Sequence, residues 1–195
     1  MNLPRRRDGG GVAAVIAAFV GLLALCVSGY TAYLQRQQVR AQVWPYIEFG
    51  SSNSRHELDV TNKGVGPAII RMVQVYVDGK AQHNWKQVYA ALGLRFEHPP
   101  LFSTINSVVI SAGEHIRQVV FADEADFNTF VAQAKRVDMS VCYCSTLGEC
   151  WLIDDREKDR AMRFREINTC PAASADDFID NNTAEAAPAA KQEDK

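Results

Sequence analysis

From Val12 to Leu34 the chain is almost wholly apolar or small, and no charged residue lies between Asp8 and Arg36. Roughly 23 residues at about 1.5 Å each reach about 34 Å, enough to cross a hydrocarbon core of about 30 Å. The pattern predicts a transmembrane helix over residues 11–34, with Tyr30 and Tyr33 at its far end, where amphipathic rings prefer the interface. Helix-forming residues continue over 35–43 as a juxtamembrane stalk, until Pro45 disfavours helix at Trp44.

Beyond Trp44 the period shortens. Tyr46–Phe49 reads as a short strand closed by Gly50–Ser54, and Glu57–Thr61 alternates as a half-buried strand should. The corner 62–68 carries Gly64, Gly66 and Pro67; a strand from Ile69 to Val77 follows and stops at the Asp78-Gly79 turn. Within that strand Ile69, Val73, Val75 and Val77 fall on one face, broken by Arg71. Asn84 is placed to cap a short helix with Trp85, Val88 and Leu92 on one side. Residues 106–110 and 115–121 read as the arms of a β-hairpin around Ser111–Glu114. Asp123 or Asp126 starts a second helix with the stripe Phe127, Phe130, Val131 and Ala134. These elements define a mainly β (α+β) domain over 44–170, with two short inserted helices. Residues 1–10 form the N-terminal flank, and from Pro171 to 195 the composition predicts a disordered tail, with Phe178-Ile179 as a weak docking anchor.

The last hairpin is the most sharply patterned. Val137, Met139, Val141 and Tyr143 share one face, and Asp138, Ser140, Cys142 and Cys144 share the other. A three-residue loop Thr146-Leu147-Gly148 sets Cys144 opposite Cys150, Tyr143 opposite Trp151 and Val141 opposite Ile153. Four cysteines allow three pairings. A bond between Cys142 and Cys144 would strain one strand, and the register favours Cys144–Cys150 with Cys142–Cys170 over Cys142–Cys150 with Cys144–Cys170. Structural disulfides are expected over a zinc site, because Cys-x-Cys on one strand face is not the usual knuckle. No neighbour in sequence predicts a lowered thiol pKa.

Arg5-Arg6-Arg7 precedes the apolar run, so a cleaved signal peptide competes with a retained anchor; the run is longer than a signal's apolar core, which favours the anchor. A lipoprotein site at Cys26 fails because Leu25 is too large before it. Three N-terminal arginines against Arg36 and Arg40 orient the N-terminus inside. The cysteine cluster then lies outside, where disulfides persist. The lipid bilayer is thus the expected partner of residues 11–34. The small residues Ala13, Ala17 and Gly21 allow a homodimer through that helix.

Composition removes several functions. The net charge is −2, and no basic stripe interleaved with aromatics occurs, which disfavours nucleic acid. His56, His83, His98 and His115 stand singly, without metal spacing, and there is no nucleophile elbow or phosphate-binding glycine loop. Asp123-Glu124 and Asp154-Asp155 are explained by helix starts and solvated loops. No catalytic residue, cofactor or metal site is expected, and the chain is not expected to be an enzyme.

Residues 58–68, Leu-Asp-Val-Thr-Asn-Lys-Gly-Val-Gly-Pro-Ala, followed by Val75-Tyr76-Val77-Asp78-Gly79-Lys80, resemble the second and third strands of bacterial immunoglobulin-like cell-adhesion-related domains. The order of membrane helix, Trp44-Pro45-Tyr46 and a Tyr143-Cys144-Ser145…Cys150-Trp151 hairpin also resembles uncharacterised bacterial single-pass membrane proteins with such a domain outside the cell. The resemblance implies an immunoglobulin-like β-sandwich on the periplasmic or extracellular side of a bacterial inner membrane. It implies a binding or scaffolding module with an unknown protein partner. An accessory subunit of an envelope transporter or complex, or an enzyme with an unrecognised site, are the alternatives. It carries no functional residues.

Overall fold

The computed structural model describes residues 10–179. The chain divides into a helical unit up to Gln42 and a second unit from Val43. In the first, α1 (Gly10–Gln42) is one continuous helix, long and apolar enough to cross a membrane, and its most apolar stretch has no side chain covered by protein. The Ser28 and Thr31 hydroxyls donate to Ala24 O and Val27 O at 2.8 and 2.9 Å, so both are satisfied within the helix. Ala13, Ala17 and Gly21 are all exposed on it.

The second unit contains β1 (Ile47–Ser52), β2 (Glu57–Asn62), β3 (Ala68–Val77), β4 (Lys80–Gln82), α2 (Trp85–Leu92), β5 (Leu101–Phe102), β6 (Val109–Ile110), β7 (His115–Val120), α3 (Glu124–Gln133), β8 (Val137–Cys144), β9 (Cys150–Asp154) and β10 (Phe164–Ile167). They make two antiparallel sheets, β1-β2-β7-β5 and β10-β9-β8-β3-β4, with β6 also on β3. Ile47, Val60 and Val119 of the first sheet join Ile70, Val73, Val141 and Tyr143 of the second in one buried cluster, together with Trp85, Phe127 and Phe130 of the helices.

Local chemistry sets the element ends. Asp78 and Gly79 have φ of 50° and 76°, the left-handed pair that closes the two-residue β3–β4 turn. The Arg136 guanidinium forks onto the Asp78 carboxylate, holding its pKa below the ordinary range. Asn84 Oδ1 accepts from Gln87 N–H at 3.0 Å at the start of α2, and Gly93 ends that helix with φ of 75°. Asp123 caps α3 by accepting from Asp126 N–H at 2.8 Å.

Four expectations change. A β-bulge at Arg71 inserts a residue between Ile70, which faces Tyr143, and Met72, which faces Cys142. The inward face therefore runs Ala68, Ile70, then Val73, Val75, Val77; Ile69 leaves the inner face, pairs with Cys144 and is only half-buried. Residues 106–110 and 115–121 do not form a hairpin, because β6 joins β3 while β7 joins β2 and β5. On α3 only Phe127 and Phe130 of the expected stripe are buried; Val131 and Ala134 are exposed. Residues 171–179 are not a loose tail. Phe178 is buried in the main core, its N–H donates to Val73 O at 2.7 Å and Ile179 N–H donates to His83 O at 3.0 Å. The remaining tail, 180–195, and residues 1–9 with the three arginines lie outside the described residues.

Tyr143 is fully buried, and its hydroxyl accepts a long hydrogen bond of 3.4 Å from Ile47 N–H. Burial pushes its phenol up to about 12. Because the folded pKa exceeds the unfolded value, this group's contribution is intact below pH 10. It is lost as pH rises towards 12, by about 2–3 kcal/mol. Tyr143→Phe is expected to remove that alkaline loss and to cost about 1 kcal/mol at pH 7, where Ile47 N–H is orphaned. Urea unfolding at pH 7 and pH 11 checks both signs.

Candidate functional site

Side chains alternate along β8, so its inner residues enter the core while Cys142 and Cys144 rise from the opposite face. The register places Cys144 opposite Cys150, Tyr143 opposite Trp151 and Val141 opposite Ile153. Ser145 N–H donates to Glu149 O at 2.8 Å, and Gly148, with φ of 81°, closes the loop. Cys144 and Cys150 stand at disulfide distance, as do Cys142 and Cys170, with Cα separations of 4.0 and 5.7 Å. The second pair ties the chain after β10 across the sheet, over a small satellite core of Met72, Cys142 and Leu152 that also takes in Ile167.

The two pairs are not independent. Cys144 Sγ lies 3.6 Å from Cys170 Sγ, and the sulfurs of Cys144, Cys150 and Cys170 all fall within 4.8 Å of one another. They line an open cleft of about 450 Å³ with Ile69, Arg71, Ser145, Thr146 and Asn168. Arg71 is exposed there, and among the described residues its side chain makes no ion pair or hydrogen bond. Cys144 and Cys150 are buried too, Cys170 is half-buried, and Cys142 lies deepest, beside Met72 and Leu152. Fully reduced, the three clustered thiolates would suit a tetrahedral metal, for which Zn–S of about 2.3 Å sets sulfurs about 3.8 Å apart. Paired as bridges they offer no thiolate to a metal.

The four cysteines singled out from the sequence thus come together in one place. Arg71 was missed as a member of the site. Its only sequence signal was a charge interrupting an apolar strand, and the bulge is what turns that charge outward beside the sulfurs. The histidines stay dispersed. His115 comes nearest to a cluster: its Nδ1 lies 3.0 Å from Thr61 Oγ1 and 3.6 Å from Asp59 Oδ2, and its Nε2 lies 3.8 Å from Glu57 Oε1. Glu57 is buried and is also held by Arg55 Nε.

Other hollows occur among the described residues, two of them in separate places. One of about 260 Å³ is lined by residues of both sheets and helices, including Asp59, Gln118, Trp85, Met139 and Asp155. Desolvation raises the Asp155 pKa there, against a hydrogen bond from the Met139 backbone. The other, about 480 Å³, lies on α2 and the loop after it, between Tyr89, Phe96, Pro99 and Pro100, with Lys86 and Arg95 at its rim. None of the three hollows is lined by a histidine. No protein-family model matches the chain, and neither a curated protein nor a solved structure does.

Proposed function

We propose that this chain is a single-pass envelope protein of a bacterial inner membrane, with its N-terminus inside and an immunoglobulin-like binding or scaffolding domain outside. One observation carries the reading: an uncovered apolar helix with no charged residue over residues 9–35 leads into a domain with two cysteine pairs at bonding distance. Water is a poor solvent for such a helix and a bilayer a good one, while bridges persist where thiols are not kept reduced. Trp44, Tyr46 and Phe164 support it. They form an exposed aromatic row with centroids 5.5 Å apart, and Trp44 follows the helix by two residues in the chain. The two-sheet core fits a β-sandwich of immunoglobulin-like kind, with β6 and β7 placed in different sheets.

Binding rather than catalysis is favoured by the exposed apolar side chains Val65, Leu101 and Val109, and by the aromatic and proline groove beside Lys86 and Arg95. The partner is a protein of the same envelope. A photo-crosslinking residue at Leu101 or Val109 in living cells is expected to trap a discrete partner band. Protease added to spheroplasts is expected to digest the domain. Absence of any crosslinked species at both positions would sink the binding reading, and a domain protected from external protease would sink the topology.

A further inference from the structure

We propose that the three-cysteine cleft, with Cys142 behind it, is a thiol–disulfide exchange site, in which a thiolate at Cys144 attacks Cys170 and passes the bond from Cys142 to Cys144. This goes beyond the binding reading and stands whether or not a protein partner is found.

Two bridges in one domain are ordinarily separate staples, yet here Cys144 Sγ and Cys170 Sγ, which belong to different bridges, are in van der Waals contact at 3.6 Å. Exchange proceeds by attack of a thiolate on a disulfide sulfur, and this contact puts the attacking and attacked sulfurs within reach of each other. The cleft reaches the sulfurs through half-buried Cys170, with Cys144 and Cys150 just beneath its surface, and the Arg71 cation that shares its lining favours a thiolate there. The co-reactant is an external thiol or dithiol. Its thiolate attacks Cys150 Sγ, forms a mixed disulfide and expels Cys144 as thiolate. Cys144 Sγ then bonds to Cys170 Sγ while the Cys142–Cys170 bond breaks, and the electron pair leaves on Cys142, which takes a proton from solvent. No net oxidation occurs in that second step. Its result is that the segment after β10 is tied to β8 at residue 144 instead of 142.

Burial sets the balance. Cys142 sits in an apolar pocket that disfavours its thiolate, whereas Cys144 lines the cleft that also holds the Arg71 cation. While Cys144 is ionised, each pKa unit between the two thiols biases the exchange about tenfold towards Cys142–Cys170. Below the Cys144 pKa both are protonated and this bias disappears. The exchange rate therefore rises with pH while the exchanged fraction falls, a combination that a purely structural staple does not produce.

The test uses full-length Cys150→Ser in detergent micelles, incubated at pH 6 to pH 9, acid-quenched and alkylated. Chymotryptic cleavage after Tyr143 separates Cys142 from Cys144, so mass mapping assigns the bonds. The expected result is a Cys144–Cys170 species with Cys142 alkylated, about a tenth of the protein at pH 8 and more at pH 6. Arg71→Gln is expected to slow its appearance several-fold at pH 7 and to move the rate profile to higher pH. A second measurement treats the unmutated chain with less than one equivalent of dithiothreitol, where Cys142 and Cys150 are the expected alkylated pair in part of the product. The proposal is overturned if, apart from the free Cys26, Cys144 is the sole cysteine alkylated in the variant at every pH. It is equally overturned if Cys144 and Cys150 are the only thiols released from the unmutated chain.

Discussion

Asn62→Ala is expected to destabilise the domain by about 4 kcal/mol, a fall in Tm of about 15 °C, measured by urea and thermal unfolding of the full chain in micelles. Asn62 is fully buried at the end of β2 and uses its whole side-chain capacity. Its Oδ1 accepts from Tyr46 N–H at 3.1 Å and Gly64 N–H at 3.0 Å, and its Nδ2 donates to Gly66 O at 2.8 Å and Ile110 O at 3.0 Å. One amide thereby ties the start of β1, the 63–66 corner and the end of β6. Alanine removes four hydrogen bonds at once, each worth about 1 kcal/mol, and leaves Tyr46 N–H and Gly64 N–H without the acceptor they share. Gly66→Ala attacks the same knot sterically, since a Cβ there would collide with the Val43 carbonyl. Both changes release the same stretch of chain, so the double variant is expected to lose clearly less than the sum. A loss under 1 kcal/mol for Asn62→Ala would mean that water replaces the amide and that the corner is not held as described.

That knot also shows what a single sequence reveals. Asn62, Gly64 and Gly66 were visible as a corner motif, but the other two Asn62 partners, Tyr46 N–H and Ile110 O, are 16 and 48 residues away and have no local signature. Features written into short-range chemistry were legible: the apolar helix, the Asp78-Gly79 turn, the Asn84 cap with Gly93, and the hairpin from Val137 to Ile153 with its register. Features decided by distant partners were not. Alternation says which residues share a face, and it fails where a bulge such as that at Arg71 switches the face in mid-strand. It does not say which strand lies alongside, so residues 106–121 read as one hairpin although their halves join different sheets. Phe178 lay in a polar, acidic stretch, and its place against Val73 rests on a contact spanning about a hundred residues. For the site, the spacing of Cys142, Cys144 and Cys150 predicted which face they share. The approach of Cys170 to Cys144 and the outward turn of Arg71 depend on packing no local pattern encodes.

Removing the Cys142–Cys170 pair as Cys142→Ala/Cys170→Ala is expected to cost about 3–4 kcal/mol. Cys144→Ala/Cys150→Ala is expected to cost only about 2, because a closed loop restrains the unfolded chain in proportion to the logarithm of its length. The sequence separations are 28 and 6. Packing adds to the contrast. The longer tie covers the satellite core at Met72 and Leu152, and it delivers the chain that ends in Phe178 against Trp85, with ring centroids 5.4 Å apart. Opening it gives the segment after β10 freedom that Phe178 and the hydrogen bonds of Asp177 and Ile179 must then offset. Limited proteolysis of the Cys142→Ala/Cys170→Ala chain is therefore expected to cut between Ile167 and Phe178 well before it cuts the sheets, with the Cys144→Ala/Cys150→Ala chain resisting at the same sites. Equal losses in the two variants, or equal resistance to cleavage, would show that residues 168–179 hold their place by side-chain packing and not by the bond at Cys170.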